Sequence, residues 1–177
     1  MTQRRSRNRL RLPWALLAVP TAAGVPAGVL WWLLAPGGLN LATRDPALAD
    51  GRNPDVWFPR DLTLAALFLF GGCLLAVFLM DKRRADPQAA LVMGLAGALF
   101  GGLVAWQAGL LSAQLWGPAV DASPNPSIAF SLRSFPVLLL WPAATAAACF
   151  VLELMNQLGR KPGPEGPADH ARLRPVK

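Results

Sequence analysis

Tyrosine is absent from this 177-residue chain, histidine occurs once and cysteine twice. The lone His170 cannot assemble a histidine-based catalytic or metal set. Two cysteines are too few for a disulfide scaffold. Charge is scarce as well: 15% of the residues are Asp, Glu, Lys or Arg, against about 25% in an ordinary soluble domain. No glycine loop leads into Lys-Ser/Thr, and neither a Gly-x-Ser-x-Gly elbow nor an HExxH pair occurs. The acidic stretch at residues 50–55 lacks the alternating ligands and terminal Glu of a calcium loop. The chain therefore carries no cofactor or metal signature, and no catalytic set that would mark an enzyme.

What is present is grease. The mean hydropathy is +0.37, and four stretches contain no charged residue: residues 13–35, 62–80, 89–115 and 135–152. A helix rises about 1.5 Å per residue, so roughly 20 apolar residues cross a hydrocarbon core of about 30 Å. Backbone groups in lipid must be satisfied within the segment, which makes each stretch a helix. The last helix is expected to continue past Glu153 to Leu158, with Gly159 ending it. The fold class that follows is all-α. It is a polytopic membrane protein, a bundle of four transmembrane helices over about 13–35, 62–80, 89–115 and 135–158. Residues 1–12 form a short basic segment, and the Pro-rich residues 159–177 read as a disordered tail.

Orientation follows from the cations. Thirteen of them flank the two chain ends and the turn between helices two and three, for example Arg4, Arg5, Lys82, Arg83, Arg160 and Lys161. Arg44, Arg52, Arg60 and Arg133 make up the other side. The positive-inside rule then puts both termini in the cytoplasm and the chain in the inner, or plasma, membrane. The net charge of +7 is this topology bias, and no nucleic-acid motif accompanies it. The first run is longer than a signal-peptide core and reads as a retained anchor.

Small residues at four-residue spacing stand out. Helix one holds Gly24 and Gly28; helix three holds Gly97 and Gly101, extended by Gly94, Ala98, Gly102 and Ala105. Lipid gives helices no hydrophobic reason to associate, so close backbone approach must supply the contact. Both helices run the same way. Gly24 and Gly28 lie about 16 and 22 Å along their span, Gly97 and Gly101 about 12 and 18 Å. The depths overlap, so the spacing predicts a crossing at these glycines.

Polar groups near the spans are few: Gln107, Ser112 and Gln114 on helix three, and Thr145 on helix four. Gln107 and Gln114 are seven apart and share a face. Asp61, just before the second run, is placed to cap helix two. An outer-face polar site would have to gather Asp61, Gln107, Gln114, Asp121 and Arg133. Cys73 and Cys149 fall mid-span, where a cysteine is usually a small apolar filler.

The stretches Gly28-Val29-Leu30-Trp31-Trp32-Leu33-Leu34-Ala35-Pro36 and Gly101-Gly102-Leu103-Val104-Ala105-Trp106-Gln107-Ala108-Gly109 give the chain a likeness. It resembles an actinobacterial family of small four-helix membrane proteins of unknown function. That resemblance implies four spans and an inner-membrane location, and it brings no activity or site residues with it.

The expected partners are the lipid bilayer and either another membrane protein or further copies of this chain, with no nucleic acid. The expected role is a structural or accessory component of a membrane or cell-envelope complex, with a small transporter or channel subunit as the alternative.

Overall fold

The computed structural model describes residues 11–44, 57–80, 86–117 and 130–159. Four helices account for most of them: α1 (Arg11–Leu34), α2 (Trp57–Leu79), α3 (Pro87–Trp116) and α4 (Leu140–Leu158), the last entered through a 3-10 turn at Phe135–Leu139. No strand occurs among the described residues. All four are long and apolar enough to cross a membrane. Residues 1–10, 45–56, 81–85, 118–129 and 160–177 lie outside the described residues. With them go most of the basic segment and the tail, the stretch 50–55, Lys82 to Arg84, Asp121 and His170.

Local chemistry sets several ends. Asp86 caps α3: its side chain accepts from the Ala89 backbone N–H at 3.1 Å, and Pro87 fills the first helical position, where an N–H has no partner to lose. At the other end of α3 the Gly117 N–H closes on the Ala113 carbonyl. Gly159 ends α4 in the same way, its N–H on the Met155 carbonyl. The start of α2 differs from the sequence expectation. The helix begins at Trp57, so Asp61 lies inside it and does not cap it.

The helices associate as two parallel pairs. Within α1 and α3, Gly24 faces the Gly101 carbonyl, Gly28 faces the Ala105 carbonyl, and Gly97 faces the Leu16 and Leu17 carbonyls. Pro20 has no N–H to give the Leu16 carbonyl, so that oxygen is free to face Gly97. The Thr21 hydroxyl lies 2.8 Å from the Leu17 carbonyl and 3.4 Å from that of Gly97. Further along the pair, the edge atoms of the Trp31 indole occupy the space where a side chain at Gly109 would stand. Residue numbers rise together along both helices, which fixes the pair as parallel.

The second pair keeps one register throughout. Asp61 meets Ser134, Phe68 stacks on Trp141 at 5.2 Å, and Gly72 abuts Thr145. The two pairs meet antiparallel through Gly102 against the Leu138 carbonyl, Trp106 against Phe135, and Gly94 under the Leu79 side chain. Trp141, Phe68 and Trp31 fill the centre, all buried. Cys149 is buried and Cys73 exposed, and neither is in a disulfide.

On α3, size and not polarity decides which face turns inward. The buried residues of α3 are Ala90, Gly94, Gly97, Ala98, Gly101, Gly102, Ala105, Gly109 and Ser112. Val92, Phe100, Leu103, Leu111 and Leu115 face out. Only 28% to 39% of each span is buried within the chain, so the larger part of every helix must be covered by something apolar. A soluble protein seldom exposes apolar patches beyond a few hundred Å², whereas a bilayer supplies that cover.

Two substitutions test the packing. A branched side chain in Gly101→Ile would meet the Pro20 carbonyl and the Trp141 ring, and Gly72→Val would meet Ala144 and the Thr145 backbone. Each is expected to cost about 1–3 kcal/mol by overpacking, read as a lower unfolding midpoint in detergent. The exposed Val92→Ile should leave the midpoint unchanged.

Candidate functional site

Polar chemistry concentrates at one end of the bundle, where α1 ends and α2 and α4 begin. The sequence puts Arg60 and Asp61 side by side in the first turns of α2, after Trp57, Phe58 and Pro59. Both side chains are buried, at 2% and 4% exposure. An unpartnered charge there would be costly, and both are satisfied.

Arg60 reaches in two directions. Its Nε donates to the Pro36 carbonyl at 3.2 Å, and a terminal nitrogen donates to the Ser131 carbonyl at 3.2 Å. The guanidinium also lies over the Phe130 ring, 5.2 Å from its centre, a favourable cation–π placement. The chain leaving α1 turns through Gly37 at φ +82°, and a side chain on Gly37 would collide with the guanidinium. Glycine is therefore needed there for both conformation and space. Trp31 completes this half of the site: its indole N–H donates to the Arg60 carbonyl at 2.9 Å, and its ring packs on Phe130 at 4.5 Å.

Asp61 faces the chain entering α4. It accepts the Ser134 N–H at 2.8 Å and the Arg133 N–H at 3.3 Å. These are backbone donors ahead of the 3-10 turn, which has no side-chain cap of its own. The expectation that Asp61 caps α2 is thus corrected: it serves the start of α4. The physical reason is that α2 begins a full turn earlier, leaving Asp61 on the helix flank that faces Ser134.

Of the five residues singled out for an outer polar site, the four that are described do not converge. Asp61 meets the backbone of Arg133, whose side chain is exposed. Gln107 and Gln114 are also exposed. They line a shallow groove of about 470 Å³ with Leu103, Val104, Ala108, Leu110 and Leu111, all on α3. Asp121 lies outside the described residues.

The helical hydroxyls are occupied within their own helices. Thr63 donates to the Pro59 carbonyl, Ser112 to Ala108 and Thr145 to Trp141, each four residues back. Among the described residues, no three His, Cys, Asp or Glu side chains come together in a metal-binding group. The arrangement can therefore brace helix ends; the carboxylate described in the clamp, Asp61, is buried and already accepts two backbone N–H groups.

Sequence reasoning used Arg60 only as a cation of the outer side and Trp31 only as an indole near the end of helix one, and it passed over Phe130 and the Gly72–Thr145 contact. Arg60 had a readable signal, since it is an arginine two residues from an uninterrupted apolar run, where a charge must find a partner. Nothing in the sequence ties it to Pro36 and Ser131, which lie 24 and 71 positions away.

No family model matches the chain, and no curated protein or solved structure matches it either.

The clamp makes a graded expectation. Arg60→Ala leaves the buried Pro36 carbonyl and the part-buried Ser131 carbonyl without their donor, and Asp61→Ala strands the Ser134 N–H; each should cost about 1–3 kcal/mol. Arg60→Lys should fall between, since an ammonium cannot span both carbonyls as a planar fork does. Arg133→Ala should stay within about 0.5 kcal/mol of the parent. Thermal unfolding in detergent, with protease nicking after Leu39 as a second readout, checks the order.

Proposed function

We propose that this protein is a structural or accessory component of a membrane complex, held in the plasma membrane with both ends in the cytoplasm. It carries no catalytic role in this reading. The observation that bears most weight is how the polar groups are spent. Arg60 and Asp61, the two buried charges at the outer end, are committed to holding α1, α2 and α4 in place. The interior between the helices is filled by Trp31, Phe68 and Trp141 and by backbone-to-backbone contacts. A chain built this way offers shape and surface. The likeness to the actinobacterial four-helix family belongs to the same proposal and supports the membrane setting only.

The topology half of the proposal rests on the bias of thirteen cations against four. Reporter fusions at residue 177 and within residues 45–56 should give opposite signals, with the C-terminus cytoplasmic. A periplasmic C-terminus would overturn it.

The role itself is tested by crosslinking in native membranes, followed by purification and identification of the attached proteins. A defined, stoichiometric complex is expected. Solute flux through the purified protein in liposomes would contradict the accessory role and favour a transporter or channel subunit.

A further inference from the structure

The outward face of α3 carries chemistry that the fold leaves unused. At about 100° per residue, Leu103, Gln107, Leu110 and Gln114 fall within about 60° of one another. That stripe points directly away from Gly101, Ala105, Gly109 and Ser112, the residues that seat α3 in the bundle. Gln107 and Gln114 are exposed, and neither amide has a hydrogen-bond partner among the described residues. Gln107 stands twenty residues along α3, about 30 Å from Pro87, level with the start of the 3-10 turn that leads into α4, since the neighbouring Trp106 meets Phe135. Gln114 stands about 10 Å further out.

We propose that this stripe is a self-association face, and that its occupant is the same stripe of a second copy. Three features select a second copy. The spacing of four, three and four residues is that of a seam between two helices at a shallow crossing angle. The cation asymmetry of the sequence inserts every copy in the same sense, so a two-fold axis along the membrane normal sets two α3 helices parallel. It also places each residue opposite itself at equal depth. A glutamine amide holds both a donor and an acceptor, so it is the side chain that satisfies its own kind across such an axis. Gln107 then pairs with Gln107 of the other copy and Gln114 with Gln114, while Leu103 and Leu110 pack between them. Hydrogen bonds between helices of this sort hold membrane assemblies together.

The inference rests on the chain being membrane-embedded, as read above, and not on its accessory role. A stable partner complex with no dimer would sink this inference and leave that role standing.

The experiment uses full-length protein with Cys73→Ala and Cys149→Ala, so that added cysteines are the only thiols. Gln107→Cys, Gln114→Cys and Leu62→Cys are made singly and oxidised in native membranes. Leu62 is an exposed residue near the outer end of α2 and serves as the control. Dimers are expected at 107 and 114 and not at 62. No dimer at 107 and 114, equal yield at all three positions, or linkage to a different protein would each overturn the proposal. In a second measurement, Förster transfer between labelled copies in liposomes, Gln107→Leu with Gln114→Leu should weaken association about threefold or more. Both positions face away from the bundle, so this variant keeps its fold. Unchanged transfer, or a parent protein monomeric at every lipid dilution because water and headgroups satisfy the amides, would also overturn it.

Discussion

Close approach of backbones is the interaction on which the rest of this structure depends. In a bilayer, a leucine gains nothing by leaving lipid for protein, so helices stay together only where their surfaces fit. Here the fit is made by removing side chains. Gly24, Gly28, Gly97 and Gly101 bring α1 and α3 close enough for the carbonyls of one helix to occupy the space of the other's missing Cβ atoms. Gly72 does the same between α2 and α4. The large side chains of α3 are left to face outward, where lipid or a neighbour covers them.

Glycine seams alone would let parallel helices slide, because a seam of small residues specifies a line of contact more strongly than a position along it. The clamp where α1 ends and α2 begins supplies position. Arg60 ties α2 to the turn after α1 and to the segment before α4, while Asp61 fixes the first backbone donors of that segment. The Trp31 indole joins the two systems, since its ring lies over Gly109 on α3 and its N–H meets the Arg60 carbonyl. Seam and clamp together leave little room for chemistry inside the bundle, which is why surface and assembly carry the functional reading.

Much of this was legible in the sequence, and the limits of what was legible have physical causes. The four spans follow from length and charge-free composition, because a bilayer core has a fixed thickness. The pairing of α1 with α3 was legible because depth is countable along a helix: Gly24 and Gly101 had to lie at similar levels. The pairing of α2 with α4 was not, since Gly71 and Gly72 have no glycine at matching depth on α4; their partners are Trp141, Ala144 and Thr145. The start of α2 was read late for a similar reason. Arg60 and Asp61 look like the water-facing end of a loop, and only their distant partners, Pro36, Ser131 and Ser134, let the helix continue around them. Of the residues proposed for a polar site, Asp61, Gln107, Gln114 and Arg133 lie toward one end of the bundle but do not share a direction, and direction comes from tertiary packing.

The most direct test of the account is a graded series at one seam position. Gly28→Ala, Gly28→Val and Gly28→Ile would be compared with Val25→Ala and Val25→Ile, at an exposed position on the same helix, by unfolding in lipid nanodiscs. A side chain at position 28 runs into the Ala105 carbonyl, so stability should fall stepwise with side-chain size there and stay level at position 25. Equal responses at the two positions would mean that the bundle is held by something other than its glycine seams.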